Sequence, residues 1–197
     1  MGENNVADMI FPFPDREACI GILEQDPCYG KILPEDRDAV FEEAWNVGLM
    51  EAEKFLKEHE AAGLDMERIL RDNGYKIQKI DKDYVIGNKR FFCELYPAKN
   101  TVAIYVRSVK LWANSHELPY EYAKNIILAH EYFHHLESKQ IGWTSGHYLV
   151  PMLRIGNFKL GKTGIAALSE VAANAFANGF YTRCEELGLY SEIESLR

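Results

Sequence analysis

Between residues 15 and 63, apolar positions recur at helical spacing. Asp15 is placed to cap a short helix that runs to about Gln25. Pro34 suits the first turn of a longer one, in which Val40, Phe41, Trp45, Leu49, Ala52 and Phe55 fall three to four apart, with an end expected near Gly63. Asp65 caps a third helix that stops at Asn73-Gly74. Residues 1–13 show no period and read as an irregular arm. Beyond Gly74 the texture becomes β-rich over residues 76–80, 83–86, 90–96 and 101–107, with Gly87-Asn88 and residues 97–100 as turns. Ser108 begins a short helical piece. Pro119 opens a helix expected to reach about Lys139, and its centre, Ile126-Ile127-Leu128-Ala129, is apolar on every side and should be buried. Residues 140–162 are rich in Gly and read as irregular. Thr163 is placed to cap a last long helix through about Leu187.

Helices, then strands, then helices predict an α+β fold: a small antiparallel sheet packed on the helix from Pro119, with additional N-terminal helices. Residues 1–64 form the N-terminal helical segment and 65–197 the core, together one compact domain. Composition narrows the function. Thirty acidic against 22 basic residues leave a net charge of −8. A binder of nucleic acid or of an anionic membrane needs a basic face, so neither is expected. No run approaches the roughly 18 apolar residues of a membrane span, and the N-terminal residues lack the features of a leader. Cys19, Cys28, Cys93 and Cys184 include no C-x-x-C pair and read as reduced thiols. A cytoplasmic protein is expected.

The chemistry sits on the helix from Pro119, which carries His130, Glu131 and His134. Two His four apart lie about 40° apart around a helix and one turn from each other, so both imidazoles can reach one metal ion. Glu131 is offset by roughly 100°, where it can take a proton from water at the metal without being a ligand. H-E-x-x-H arises by chance in roughly one chain in fifty. Here it lies within a buried helix, where an unpartnered imidazole pair is costly.

A catalytic zinc takes three protein ligands and keeps one open position. Glu170 is the expected third ligand. It shares a helix face with Asn174, and the small Ala166, Ala167, Ala173 and Ala177 allow that helix to approach a neighbour closely. Asn174 is then positioned to orient a metal-binding His. His147, Tyr148 and Tyr181 are candidates for stabilising the oxyanion of a tetrahedral intermediate. His135 is a helix neighbour rather than a ligand. Glu137 either supports the His face or is merely exposed.

At these residues the sequence resembles a known family. The run from Asn125 to Leu136 is similar to the active-site helix of the ImmA/IrrE-type metallopeptidases. Glu170-Val171-Ala172-Ala173-Asn174-Ala175-Phe176-Ala177 resembles that family's second motif. The resemblance spans about residues 65–185. It implies a zincin-like, gluzincin-type core holding one Zn²⁺ per chain on His130, His134 and Glu170. It also implies cleavage of a specific regulatory protein, typically a DNA-binding repressor, in bacteria or their mobile elements. Phe133 stands where the family often has Gly, no Met-Pro follows the second motif, and the gap from His134 to Glu170 is long.

The expected activity is metal-assisted hydrolysis of a peptide bond in a cytosolic protein, with an edge strand such as residues 101–107 pairing with the extended substrate. Two alternatives remain at this point. A catalytically inactive, zinc-stabilised interaction module would need a fourth protein ligand, for which His147 is the candidate. A nucleotide binder would use Gly156 to Thr163, which fits G-x-x-x-x-G-K-T, a pattern found by chance in roughly one chain in three hundred. Context opposes that reading: Pro151 and Arg154 interrupt the strand a P-loop requires, and no Asp follows Thr163 to hold a magnesium ion.

Overall fold

A computed structural model of the protein describes residues 15–59, 64–87, 89–155 and 158–186. The arm at 1–13, the helix end at Gly63, Asn88 of the expected turn, Gly156-Asn157 and Leu187 lie outside the described residues. Among the described residues, six α-helices and seven strands follow in order: α1 (Arg16–Glu24), α2 (Arg37–Glu58), α3 (Met66–Asp72), β1 (Lys76–Ile80), β2 (Tyr84–Ile86), β3 (Lys89–Phe91), β4 (Cys93–Tyr96), β5 (Thr101–Tyr105), α4 (Val106–Ser115), α5 (Tyr120–Leu136), β6 (Val150–Ile155), β7 (Phe158–Thr163) and α6 (Ala166–Glu186). The caps follow the sequence logic. Asp15 accepts from the Ala18 N–H at 2.7 Å, and Asp65 accepts from Glu67 and Arg68.

The protein is α+β, but its main sheet is mixed rather than antiparallel. The order is β1-β5-β4, with β1 parallel to β5 and β4 antiparallel to it. Parallel pairing is available because the chain between β1 and β5 is long enough to return to the same end of the sheet. Strand β5 is therefore central, and residues 101–107 offer no open edge; Val106 and Arg107 already belong to α4. Strands β2 and β3 form a separate hairpin. Residues 140–162 are only partly irregular: 142–149 carry just the short turn Thr144–Gly146, but β6 and β7 pair as an antiparallel hairpin, and Glu137–Ile141 prolong α5 as a π-helical turn. Thr163 ends β7 instead of capping α6. The Gly-rich composition misled because Gly161, at φ 64°, serves a bend within a strand.

Helix α6 is apolar nearly all round because it lies between two clusters. Its Ala173, Phe176, Ala177 and Phe180 join Phe55, Ile77, Val102, Trp112 and Phe133 in the larger one, while its Leu168, Val171 and Ala175 join Cys19, Leu23, Phe41 and Trp45 in the other. Ala52 and Phe55 of α2 thus share a core with the sheet, across the expected boundary at residue 64. Phe133 is fully buried against Phe176, with ring centroids 5.9 Å apart, and so fills core volume.

Helices α2 and α6 approach so closely that a Cβ on Gly48 would lie 2.1 Å from the Ala172 carbonyl oxygen and 2.7 Å from the Ala175 Cβ. Neither obstacle is a flexible side-chain end, so the helices would have to part. Ala has the better helix propensity by about 1 kcal/mol, but overpacking costs about 1–3 kcal/mol or more. Gly48→Ala is therefore expected to destabilise the protein by about 2 kcal/mol in urea unfolding. Gly21→Ala, on α1 with no atom within 4 Å, should instead stabilise it by up to about 1 kcal/mol. Equal effects at the two positions would contradict the close packing.

Candidate metal centre

The site forms where α5 meets α6. One turn of α5 separates His130 from His134, and their Nε2 atoms lie 3.3 Å apart. Glu170, just past the first turn of α6, brings Oε2 to 3.4 Å from His130 Nε2 and Oε1 to 3.6 Å from His134 Nε2. These three side chains form the only group of three or more His, Cys, Asp or Glu suited to a metal among the described residues. A tetrahedral ion about 2.0–2.1 Å from each ligand keeps those atoms roughly 3.3–3.4 Å apart. The spacing therefore fits a divalent ion. The donor set of two imidazoles and a carboxylate suits zinc, manganese or iron.

The far side of each imidazole is held by an acceptor. His130 Nδ1 donates to Asn174 Oδ1 at 2.9 Å, one turn beyond Glu170 on α6. His134 Nδ1 donates to Glu137 Oε2 at 2.9 Å. An acceptor at Nδ1 places the proton there and leaves the Nε2 lone pair facing the centre. Asn174 has the supporting place its spacing suggested. Behind it, the buried Cys19 thiol of α1 borders the amide, and burial pushes that thiol up to about 12.

Glu137 resolves to one of its two readings: its side chain is fully buried. Oε1 accepts from the Thr144 N–H at 2.9 Å and from Ser169 Oγ at 2.8 Å. Burial opposes the charge, but His134, Ser169 and Thr144 together hold the carboxyl below its ordinary value. Sequence reasoning passed over Ser169 and Thr144, although Ser169 adjoins Glu170. Thr144 carries no sequence signal, since its contribution is a backbone N–H.

The electrostatics favour a cation. Burial alone would make His134 harder to protonate, yet the Glu137 bond and the charges of Glu170 and Glu131 raise it to about 9. Burial also opposes ionisation of Glu170, but the His130 hydrogen bond and the two imidazoles hold it at about 2. Glu131 is buried beside the triad. Desolvation, joined by the Glu170 charge, raises its pKa, while the two His and the Leu95 backbone N–H act against the rise. Leu95 belongs to β4, the edge strand that packs against α5.

The remaining candidates are engaged elsewhere. His147 Nδ1 pairs with Glu43 of α2 at 3.1 Å and does not join the triad. The Tyr148 hydroxyl donates to Asp36 at 2.7 Å. Tyr181 packs against Tyr122, ring centroids 5.9 Å apart. His135, as expected of a helix neighbour, turns away and bonds the Tyr75 hydroxyl. Lys162 and Thr163 of the P-loop-like pattern lie in β7, paired antiparallel with β6, rather than in a loop that opens a helix. Among the described residues, no helix is long and apolar enough to cross a membrane. Comparison with protein-family models, curated proteins and solved structures gives no match.

Proposed function

We propose that the protein is a zinc-dependent endopeptidase of the ImmA/IrrE type, acting on a specific protein in the cytosol. The convergence of His130, His134 and Glu170 beside a buried Glu131 carries this reading. The three side chains would hold the ion. Bound zinc supplies a Lewis acid that polarises a carbonyl and acidifies water. Glu131 accepts the proton of the attacking water on its carboxylate and delivers it to the leaving amine. The Leu95 backbone of β4 favours the charged form of that carboxylate. The edge of β4, rather than β5, is where an extended substrate backbone would lie beside the centre. Asn174 and Glu137 keep both imidazoles in the tautomer that binds metal.

The inactive-module alternative needs a fourth protein ligand, and its candidate, His147, pairs instead with Glu43 at 3.1 Å. Elemental analysis of purified protein tests the centre. About one zinc per chain is expected in the wild type, with loss or marked weakening in Glu170→Ala. No metal in the wild type, even after incubation with zinc, would sink the reading. Full zinc in both proteins would move the third ligand elsewhere.

A further inference from the structure

The insertion between the two ligand-bearing helices has a character unlike the rest of the chain. Residues 138–169 contain no Asp or Glu, although the protein carries a net charge of −8. They contain Lys139, Arg154, Lys159 and Lys162. The same stretch exposes large apolar side chains: Trp143 (53%), Leu149 (51%), Met152 (62%), Leu153 (49%) and Leu160 (55%). Leu153 and Leu160 are register partners across the β6–β7 hairpin, and so are Arg154 and Lys159. Exposed apolar surface gathered on one element, rather than scattered, marks an interaction site.

The hairpin has a fixed root. Val150 is buried in the second core cluster, and the Ile165 N–H donates to the Ser145 carbonyl at 2.9 Å. Lys31 donates to the Met152 carbonyl at 3.1 Å and brings a further cation to β6. Asp36 and Glu43, the acids that meet the root, are already engaged by Tyr148 and His147. Strands β6 and β7 form a sheet of only two, so each keeps an unpaired side among the described residues. Pro151 removes a donor from β6, which leaves β7 the fuller row of backbone groups. Its bend at Gly161 confines the regular part to Phe158–Leu160. The root also adjoins the metal centre. The Thr144 N–H donates to Glu137, which holds His134, and the Ser145 N–H donates to Ser169, next to Glu170.

We propose that the β6–β7 hairpin is the docking surface for an extended, acidic segment of the protein substrate, received by strand addition along β7. The leucines would take its apolar side chains and Lys31 and Lys162 its carboxylates. Calling the partner a substrate rests on the peptidase reading; the surface does not.

The test uses zinc-loaded Glu131→Gln protein and short fluorescein-labelled peptides in which Glu or Lys alternates with Val, with binding read by anisotropy. The Glu–Val peptide should bind at least about tenfold more tightly than the Lys–Val peptide, against the protein's overall charge, and more weakly as salt rises. Leu153→Ser/Leu160→Ser should weaken it about tenfold or more, and Lys31→Glu/Lys162→Glu should reverse the preference. Both variants should keep the wild-type urea midpoint. Binding of neither peptide, preference for the Lys–Val peptide, or indifference to both variants overturns the proposal. Self-association through Leu153 and Leu160 in sedimentation, unaffected by peptide, also overturns it. Hairpin-dependent binding by a protein that holds no zinc and cleaves nothing would sustain the docking surface and discard the peptidase.

Discussion

Glu131→Gln is expected to retain zinc and to lose cleavage by about 10²–10⁴-fold. Glutamine matches glutamate in size, so the α5 helix and its contacts with β4 should survive. Its amide cannot hold a proton at neutral pH, and the transfer from water to leaving amine has no other carrier at that place. Glu131 makes no ligand contact in the triad, so metal content should stay near one per chain. The measurement compares new protein N-termini in a lysate of the source cells after incubation with zinc-loaded wild type or variant. New termini with the wild type alone are expected. The same termini at the same rate with the variant would remove Glu131 from the mechanism. No new termini with either protein would favour a metal-closed interaction module.

The site was more legible in the sequence than the fold around it. His130, Glu131 and His134 occupy fixed angles on one strongly patterned helix, so local geometry determines what they can reach. Glu170 and Asn174 were legible for the same reason, being four apart on a second helix whose small residues permit close approach. Strand pairing is different in kind. Residues 76–80 and 101–105 look alike whether they run parallel or antiparallel, because alternation says nothing about direction. The mixed sheet, and with it the central position of β5, therefore lay beyond local reasoning. So did the β6–β7 hairpin, whose glycines signal a loop and a strand bend equally well. His147 and Tyr148 were plausible by their nearness to Glu170 in sequence, yet the hairpin root carries them to Glu43 and Asp36 on the α2 side. What sequence reading undervalued was the hydrogen-bonded support: a carboxylate at 137 looks solvated until the partners from residues 144 and 169 are placed around it.

That support yields the largest expected loss of stability. Glu137→Ala removes a carboxylate that serves three donors at once: His134 Nδ1, the Thr144 N–H and Ser169 Oγ, all within 2.8–2.9 Å. Each donor left unsatisfied in a buried place costs about 1–3 kcal/mol, and breaking a buried ion pair costs about 3–5 kcal/mol. The three share one partner, so the terms do not add, and a total of about 4 kcal/mol is expected. Against a usual stability of about 5–15 kcal/mol this is a major fraction. The same change frees the His134 ring and detaches the hairpin root from the metal centre, so zinc affinity should fall about 10–100-fold. Glu137→Gln separates the two effects. Glutamine can still offer an oxygen to Thr144 and Ser169, but it turns an N–H toward the His134 N–H. It should therefore keep much of the stability and lose much of the affinity. Urea unfolding of the metal-free proteins reads the first quantity, and competition with a zinc chelator reads the second. If Glu137→Ala unfolds within about 0.5 kcal/mol of the wild type and binds zinc equally well, the buried carboxylate is a bystander and His134 is oriented by its own helix alone.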